Sequence, residues 1–295
     1  MADERFFPNT GFVAPPDEYA SYERARVVIL PVPYDSTTTA RAGARDGPAA
    51  IIASSVDMEL FDVGLGYEPY RWGIHTLREL APAPGNAELT IDRIEEVAGE
   101  LLDAGKFVVT LGGEHTVAVG SARAHAKRID GLSVLAIDAH ADMRDSYLDS
   151  KYNHACTLRR ISEVAPVTQV GLRSAEAEEY AHIRERGFAY YPPQTFRQPN
   201  GAREVIERLS EQVYITIDLD GIDPSQMAAV GTPEPGGLYW DELVELLAAV
   251  ASARRIAGFD VTELAPDEGP RACAHLAAKL TYRLIGLALG NPGER

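Results

Sequence analysis

The feature that most limits the fold of this chain is a regular alternation of short apolar runs with longer amphipathic runs. The apolar runs are rich in Val, Ile and Leu and have no polar face; they stand at 26–32, 106–111, 132–138, 167–172, 188–191, 213–218 and 255–261. The amphipathic runs have helical spacing and stand at 90–105, 115–129, 174–187, 201–211, 239–253 and 272–289. Strands that are apolar on both faces and separated by helices form parallel sheets covered by helices. We therefore predict an α/β fold with a central, mostly parallel sheet.

Composition limits the class of protein and its partners. The 295 residues include 44 acidic and 28 basic side chains, which gives a net charge of −16. Binding of nucleic acid needs a basic surface, so we expect no nucleic-acid partner. An acidic surface favours a cationic substrate. No apolar run reaches the length of about 18 residues that a spanning helix needs, so we expect no membrane partner either.

Domain organisation and location can also be predicted. No linker or repeat divides the chain, so we predict a single domain over residues 1–295, with residues 1–25 as an N-terminal extension. This extension is charged and Pro-rich and lacks the apolar core of a secretory signal. The only cysteines are Cys156 and Cys273, which is far from a disulfide framework. We predict free thiols and a cytoplasmic location.

Polar side chains gather where three of the predicted strands end. The motifs are VLAIDAHAD (134–142), VYITIDLD (213–220) and TLGGEH (110–115). In the first two, acidic residues and a histidine occupy alternate positions and therefore point to one side of an extended chain. In the third, two glycines let the backbone turn tightly before the histidine. Ligands of parallel α/β sheets bind at these strand ends; the six candidates are His115, Asp138, His140, Asp142, Asp218 and Asp220.

These four carboxylates and two imidazoles predict a metal site. Two carboxylates about 4 Å apart repel each other by roughly 4 kcal/mol at an effective dielectric of about 20. Few basic residues stand in the three motifs, so two divalent ions are the natural compensation for four carboxylates. Oxygen and imidazole ligands without a thiolate suit Mn²⁺ or a similar ion. Two such ions can activate a water molecule for hydrolysis near neutral pH.

Two further residues fit a hydrolase. His154, in KYNHACTLRR, follows the DAHAD motif and could move a proton to a leaving group. Glu263, in FDVTELAP, stands where the last strand leaves the sheet, and a carboxylate there could hold a planar cation through two parallel hydrogen bonds. Taken alone, each also has an ordinary explanation as a structural histidine or a loop charge.

Together these motifs resemble the ureohydrolases, the arginase and agmatinase family. The matching pieces are PYDSTTTARAGARDGPAAI (33–51), GGEH (112–115), DAHAD (138–142), NHACTLRR (153–160), DLDGIDPSQMAAVGTPEPGGL (218–238) and DVTEL (260–264). The resemblance spans residue 27 to about residue 288. It implies a three-layer α/β/α fold with a central parallel sheet of about eight strands, and assembly as a homotrimer or homohexamer.

The resemblance also implies a binuclear centre with two Mn²⁺ ions per chain. The carboxylates that would bridge the ions are Asp138 and Asp218. The shell of the first ion would be completed by His115 and Asp142, and that of the second by His140 and Asp220. Catalysis would depend on His154, Glu263 and Asp142.

The implied substrate is a small guanidino compound that is cleaved to urea and an amine. The NHAC stretch with a following RR resembles the agmatinase branch, so agmatine, which gives putrescine and urea, is the first prediction. Glu263 and Thr232 would contact the guanidinium group. Arg144 could instead favour guanidino acids such as guanidinobutyrate, and Glu176 could meet an amine.

Other functions stay open. A different ureohydrolase (guanidinobutyrase, guanidinopropionase or arginase) would use the same centre. A single-zinc amide hydrolase related to the deacetylases would share the fold, but such proteins generally lack the histidine that stands here as His115. A binuclear phosphatase would need a basic cluster, which the motifs lack. A non-catalytic binding protein would have no evident reason to keep every ligand together with His154 and Glu263.

Overall fold

The computed structural model describes residues 9–294 and is built around one sheet in which every pair of neighbouring strands is parallel. The strands are β1 (Val27–Val32), β2 (Ile74–Thr76), β3 (Phe107–Gly112), β4 (Ser133–Ile137), β5 (Val167–Val170), β6 (Ala189–Tyr191), β7 (Gln212–Asp218) and β8 (Arg255–Thr262). Their order across the sheet is β2-β1-β3-β8-β7-β4-β5-β6. The predicted parallel sheet of about eight strands is confirmed.

Helices cover both faces of the sheet. They are α1 (Asp17–Ala20), α2 (Gly47–Ser55), α3 (Ala87–Asp103), α4 (Ala118–Ala126), α5 (Thr157–Ile161), α6 (Ala177–Arg186), α7 (Pro193–Phe196), α8 (Gly201–Arg208), α9 (Trp240–Ala253) and α10 (Ala272–Leu289). One apolar cluster joins the sheet to α2, α8, α9 and α10. Two further clusters join the opposite face to α3, α4, α5 and α6. The predicted three-layer α/β/α arrangement is therefore confirmed.

Strand β1 shows why the sheet needs a helical layer on each side. All of its residues are buried. Val27 and Ile29 belong to the apolar cluster on one face, whereas Val28, Leu30 and Val32 belong to a cluster on the opposite face. Successive side chains of a strand point to opposite faces. Burial of an aliphatic side chain stabilises the fold by roughly 1.5–3 kcal/mol, so both faces must be covered.

The last two strands of the chain occupy the gap that the earlier strands leave. The first three strands extend the sheet in one direction from this gap, and the next three extend it in the other. β8 and β7 then enter between β3 and β4. The four central strands, in the order β3, β8, β7 and β4, therefore end side by side at one edge. Since each polar motif follows one of these strands, the topology brings the motifs together.

Several element boundaries differ from the predicted ones for local reasons. Helix α3 begins at Ala87 rather than at residue 90, because the Asn86 side chain accepts a hydrogen bond from Leu89 N at 2.9 Å and caps the helix. Thr90 instead accepts a hydrogen bond from Ala83 N at 3.0 Å. Strand β2 and helix α2 are absent from the sequence prediction. β2 has only three residues, and α2 has no charged side chain to mark a polar face.

The N-terminal extension packs on the core as far as the structure describes it. Its first eight residues, 1–8, lie outside the described residues. Phe12 and Val13 are almost completely buried, and Phe12 N donates to Thr76 Oγ1 at 2.8 Å. The single domain over residues 1–295 stays a prediction. Within residues 9–294, no helix combines the length and the apolar character that crossing a bilayer requires.

Gly113 allows two chain segments to approach each other closely. A Cβ atom on Gly113 would lie 2.1 Å from the carbonyl oxygen of Tyr34, and the next residue, Glu114, donates its N–H to that oxygen at 2.7 Å. Neither Gly112 nor Gly113 has a positive φ. The glycines of the GGEH motif are therefore needed for close packing rather than for a left-handed turn. As a result, the segment after β1 lies directly over the end of β3.

We expect Gly113→Ala to lower the free energy of unfolding by roughly 1–3 kcal/mol, because the new methyl group must displace the main chain of Tyr34. Gly293→Ala is the matched control, since a Cβ atom there meets nothing nearer than 3.4 Å. Its effect should stay within about 0.5 kcal/mol. Urea unfolding followed by circular dichroism measures both. Equal stability of the two variants would mean that the Tyr34 segment moves aside freely.

Candidate metal centre and active site

The six predicted metal ligands lie together at the C-terminal edge of the four central strands. β3 leads to His115, β4 leads to the DAHAD motif, and β7 leads to Asp218 and Asp220. Five of the six side chains are buried, and His140 is half-buried. The sequence predicts that these residues follow three separate strands. The order of the strands in the sheet places the ends of those strands together.

Three carboxylates surround one nitrogen of His115. Its Nδ1 lies 2.9 Å from Asp142 Oδ2, 3.3 Å from Asp138 Oδ2 and 3.5 Å from Asp218 Oδ2. Burial by itself would lower the pKa of His115, but the neighbouring carboxylates of Asp138 and Asp142 raise that pKa well above its ordinary value. The geometry therefore attracts positive charge to this point.

A second histidine forms an adjoining cluster. His140 Nδ1 lies 2.8 Å from Asp220 Oδ2, and His140 N donates to Asp138 Oδ1 at 2.6 Å. Two sets of side chains could each hold an ion: the first is His115, Asp138 and Asp218, and the second is Asp138, His140 and Asp220. Because Asp138 belongs to both sets, the two positions would be neighbours.

The chemistry of these donors fits a cation. Burial raises the pKa of Asp138 to about 7 and the pKa of Asp218 well above its ordinary value, and neighbouring carboxylates add to both shifts. Within residues 9–294, Asp138 Oδ2 is one of three buried side-chain atoms that have no hydrogen-bond partner. Buried polar atoms are otherwise almost always paired. A buried, unpaired carboxylate oxygen among oxygen and nitrogen donors suits a divalent ion such as Mn²⁺.

A buried chain of hydrogen bonds fixes the His115 ring from behind. His115 Nε2 lies 2.9 Å from Thr216 Oγ1, and Thr216 Oγ1 donates to Asp260 Oδ1 at 2.8 Å. The other oxygen, Asp260 Oδ2, accepts from Tyr214 at 2.7 Å. Because the Thr216 hydroxyl gives its proton to Asp260, it accepts the Nε2–H of His115. When the ring is neutral, the lone pair of Nδ1 therefore faces the carboxylates, as a metal-binding histidine requires.

Thr216 and Asp260 are not among the site residues predicted from the sequence. One signal was present, since Thr216 precedes Asp218 by two positions on β7 and therefore points to the same side of the strand. The contact between Thr216 and Asp260, by contrast, depends on how the strands are paired in the sheet. The pairing of β7 with β8 places Thr216 opposite Asp260.

Two residues adopt left-handed backbone conformations where the chain leaves the sheet. Asp142 has a φ of 48° and Glu263 a φ of 68°. Such conformations cost about 1–3 kcal/mol in residues other than glycine and are often found at functional sites. Glu263 N donates to Gly113 O at 2.7 Å, and Glu263 Oε1 accepts from His115 N at 2.7 Å. The exit of β8 is thus locked to the exit of β3.

Glu263 and His154 lie beside the cluster without belonging to it. Glu263 Oε1 is 3.9 Å from His154 Nδ1. Burial raises the pKa of Glu263 to about 8, and burial lowers the pKa of His154. The two shifts have opposite directions: the pKa of Glu263 moves into the neutral range, whereas His154 is held in its neutral form, which can accept a proton.

Arg144, Glu176 and Thr232 line the same cavity, which encloses about 190 Å³. Arg144 Nη2 lies 3.3 Å from Glu176 Oε1, and Arg144 Nε lies 3.6 Å from Glu179 Oε2. The guanidinium group also stacks on Tyr147, 4.1 Å from the ring centre. The positive charge of Arg144 is therefore already paired with two carboxylates. Glu179 is a further wall residue that the sequence prediction omits.

Known proteins resemble this chain in sequence and in fold. The model of the arginase family matches residues 25–286. The chain belongs to the arginase family. It is 40% identical over 270 residues to an N(1)-aminopropylagmatine ureohydrolase of Thermus thermophilus, and the aligned region covers 91% of this chain and 92% of that protein. It is 35% identical over 272 residues to an agmatinase of Bacillus anthracis, covering 89% and 93% of the two chains. A crystal structure of the agmatine ureohydrolase of Thermoplasma volcanium matches with a TM-score of 0.87 and 32% identity, covering 97% and 96%.

Membership of the arginase family confirms the resemblance predicted from the motifs. The curated relatives are ureohydrolases by name, so this family member is an enzyme. The match also favours a ureohydrolase over a deacetylase-like amide hydrolase, which would share the fold but not the family.

We expect Thr216→Val in this arginase-family enzyme to weaken metal binding by about 10- to 100-fold, because valine keeps the shape but cannot accept the Nε2–H of His115. Calorimetric titration of metal-free protein with Mn²⁺ gives the dissociation constants. Thr110→Val is the matched control, since Thr110 is equally buried but its hydroxyl contacts Ser121 Oγ at 2.7 Å. Unchanged affinity in Thr216→Val would mean that His115 keeps its orientation without this partner.

Proposed function

We propose that this arginase-family enzyme hydrolyses the guanidinium group of agmatine to release urea and putrescine, a polyamine-forming reaction. The observation that carries the proposal is the position of Glu263, a buried carboxylate beside the six clustered side chains and separate from them. Specificity for a planar cation needs an anion next to the point of attack. The relatives named agmatinase and agmatine ureohydrolase support the same substrate.

We propose further that two Mn²⁺ ions bind per chain. The first would be held by His115 and Asp142, the second by His140 and Asp220, and both by Asp138 and Asp218. When bound, the ions would activate a water molecule and stabilise the negative charge that develops during its attack. Two observations support this proposal: the unpaired oxygen of Asp138, and the membership of Asp138 in both ligand sets.

Glu263 would orient the guanidinium group. Its Oε1 accepts the N–H of His115, whereas its Oε2 accepts no hydrogen bond from any residue between 9 and 294. Oε2 and the remaining lone pair of Oε1 would receive two parallel N–H groups of the substrate. A bound cation would also lower the pKa of Glu263 from the value of about 8 that burial gives it.

His154 would deliver the proton to the departing amine. Burial lowers the pKa of His154, so the ring is neutral near pH 7 and can accept a proton. Its Nδ1 faces Glu263 at 3.9 Å and would therefore face a guanidinium group held by that carboxylate. Cleavage of the C–N bond requires a proton on the leaving nitrogen. His154 Nδ1 would first take a proton from the attacking water and would then supply it to the leaving nitrogen.

The far wall of the cavity favours a substrate that ends in an amine. Arg144 is paired with Glu176 and Glu179, so a carboxylate tail would have to displace these partners before it could bind Arg144. Because two carboxylates face one guanidinium group, this wall has an excess of acidic groups, and an ammonium group could pair with Glu176. These contacts favour agmatine over guanidinobutyrate and other guanidino acids. Thr232, which donates to Asp220 Oδ2 at 3.3 Å, would lie beside the guanidinium end.

N1-aminopropylagmatine is the second candidate substrate. The relative from Thermus thermophilus that bears this substrate in its name is 40% identical to the chain. The side chain of Glu176 is 67% exposed and lines the cavity. A longer substrate with a second amine could therefore extend past Glu176 toward solvent. The ratio of kcat/KM for the two amines decides between them.

The assembly and the location stay predictions. We keep the homotrimer or homohexamer and the cytoplasm as the expected states. Cys156 and Cys273 are both buried free thiols, as expected for a protein of a reducing compartment.

We expect urea release with Mn²⁺ from agmatine and from N1-aminopropylagmatine, with kcat/KM at least about tenfold higher than for arginine, guanidinobutyrate or guanidinopropionate. Tenfold corresponds to about 1.4 kcal/mol, a modest cost for separating Arg144 from its carboxylate partners. Chelation should abolish activity, added Mn²⁺ should restore it, and metal analysis should find two ions per chain. Absence of urea from every guanidine, with metal bound, would overturn the proposed function.

We expect Glu263→Gln to lower kcat/KM by roughly a hundredfold or more while the metal content stays unchanged. The N–H of His115 selects the amide oxygen at the Oε1 position, so the amide NH₂ points at the guanidinium group and cannot accept from it. Steady-state kinetics and metal analysis measure the two effects.

Glu268→Gln is the matched control for this experiment. Glu268 follows Glu263 in the same loop, but it forms an ion pair with Arg41 at the surface. Loss of an exposed ion pair should change kcat/KM by no more than about threefold. Near-normal turnover of Glu263→Gln with full metal content would contradict the role of Glu263 as the guanidinium anchor.

A further inference from the structure

We propose that Thr39 is a positioning residue for the imidazole of His154, and that Thr37 and Glu114 hold Thr39 in place. The inference rests on the proposed function, because it takes His154 as the proton donor to the leaving amine. It adds the segment after β1 to a site whose other members lie between His115 and Glu263. Thr39 lines the cavity next to His154.

The His154 ring has one hydrogen bond within residues 9–294, and Thr39 makes it. Thr39 Oγ1 lies 3.0 Å from His154 Nε2. The other ring nitrogen, Nδ1, is 3.9 Å from Glu263 Oε1, which is beyond hydrogen-bond distance. Thr39 therefore binds the side of the ring that faces away from Glu263 and fixes the direction in which Nδ1 points.

The proton chemistry of the ring agrees with this arrangement. If His154 gives and receives protons at Nδ1, then Nε2 keeps its proton in both the neutral and the cationic state. The Nε2–H needs a constant acceptor, which the Thr39 hydroxyl oxygen can provide. A hydrogen bond to the second nitrogen of a histidine sets both the tautomer and the orientation of the ring.

The main chain on both sides of this contact is fixed by Thr37 and Glu114. The buried Glu114 carboxylate accepts from Thr37 N at 2.7 Å and from Thr37 Oγ1 at 2.5 Å. Thr37 Oγ1 in turn accepts from His154 N at 3.1 Å, and Thr37 O accepts from Asn153 Nδ2 at 3.1 Å. Two consecutive residues after β3 therefore have different roles. His115 belongs to the predicted metal ligands, and Glu114 holds the segment that contacts His154.

Exposure limits the expected size of the effect. Thr39 lies at the cavity rim and is itself exposed, so water can replace part of a lost hydrogen bond. General acid catalysis contributes about 10²- to 10⁴-fold, and a ring that is present but poorly oriented should lose only part of that. We therefore expect a loss of about tenfold in kcat from Thr39→Val.

The test compares three variants with wild type in the Mn²⁺-loaded enzyme and agmatine or N1-aminopropylagmatine, whichever wild type prefers. Thr39→Val removes the acceptor and should lower kcat about tenfold with KM within about twofold, while Thr39→Ser keeps the hydroxyl and should restore kcat to within about threefold of wild type. Thr38→Val is the matched control, since the Thr38 hydroxyl donates to Asp35 O at 3.1 Å in the same loop. Metal content should be unchanged in all three.

The outcomes separate this inference from the proposed function. If wild type releases no urea from any guanidine, the proposed function fails. If wild type is active and Thr39→Val keeps its kcat, or raises only KM, the positioning role fails. Equal losses in Thr39→Val and Thr38→Val would also overturn it, because the loop as a whole would then be responsible.

A crystal structure of Thr39→Val gives a readout that does not depend on turnover. A rotated or disordered His154 ring, with the backbone of residues 37–39 unchanged, is the expected result. A ring in the wild-type orientation would overturn the inference even if activity were reduced.

Discussion

The mutual repulsion of buried carboxylates around His115 is the constraint on which the rest of this structure depends. At an effective dielectric of about 20, each pair about 4 Å apart costs roughly 4 kcal/mol, against a total stability of about 5–15 kcal/mol for a typical domain. Backbone N–H groups offset part of this repulsion: His140 N donates to Asp138, and Asp220 N donates to Asp218. The imidazoles offset another part. The unpaired oxygen of Asp138 shows that protein groups alone do not complete the compensation, so the cluster fits a cation.

The scaffold holds this unfavourable arrangement by fixing the strand ends. The four central strands are paired on both sides, so their ends cannot move apart without breaking the sheet. Glu263 and Asp142 hold left-handed conformations at two of these exits. The hydrogen bonds of Glu263 to Gly113 and His115 tie β8 to β3 at one of these exits. Two strained backbone positions therefore face the cavity.

The cavity is assembled from segments that are distant in sequence, and its charges support the proposed preference for an amine. The six predicted metal ligands come from the middle of the chain, Glu263 from its last fifth, and the segment around Thr39 from its beginning. Arg144 would suggest an anionic substrate if it were free. Its contacts with Glu176, Glu179 and Tyr147 neutralise that charge and make it part of the wall. The acidic composition of the whole chain then agrees with the local chemistry of the site.

The sequence by itself determined the class of fold and the family, and it predicted the six candidate ligands, because each of these depends on local patterns. Apolar runs identify buried strands, and alternate spacing places Asp138, His140 and Asp142 on one side of the chain. Local patterns are weakest for short elements and for helix ends, which is why β2 and α2 are absent from the prediction and α3 begins at Ala87 rather than at residue 90.

Only the tertiary structure decided which partners support the site. Thr216 meets Asp260 across 44 residues and Thr39 meets His154 across 115. These contacts depend on the entry of β7 and β8 between β3 and β4, and on the close packing of the segment after β1 against Gly113. Spacing along the chain carries no information about either, since strand order is set by how the sheet buries its two faces.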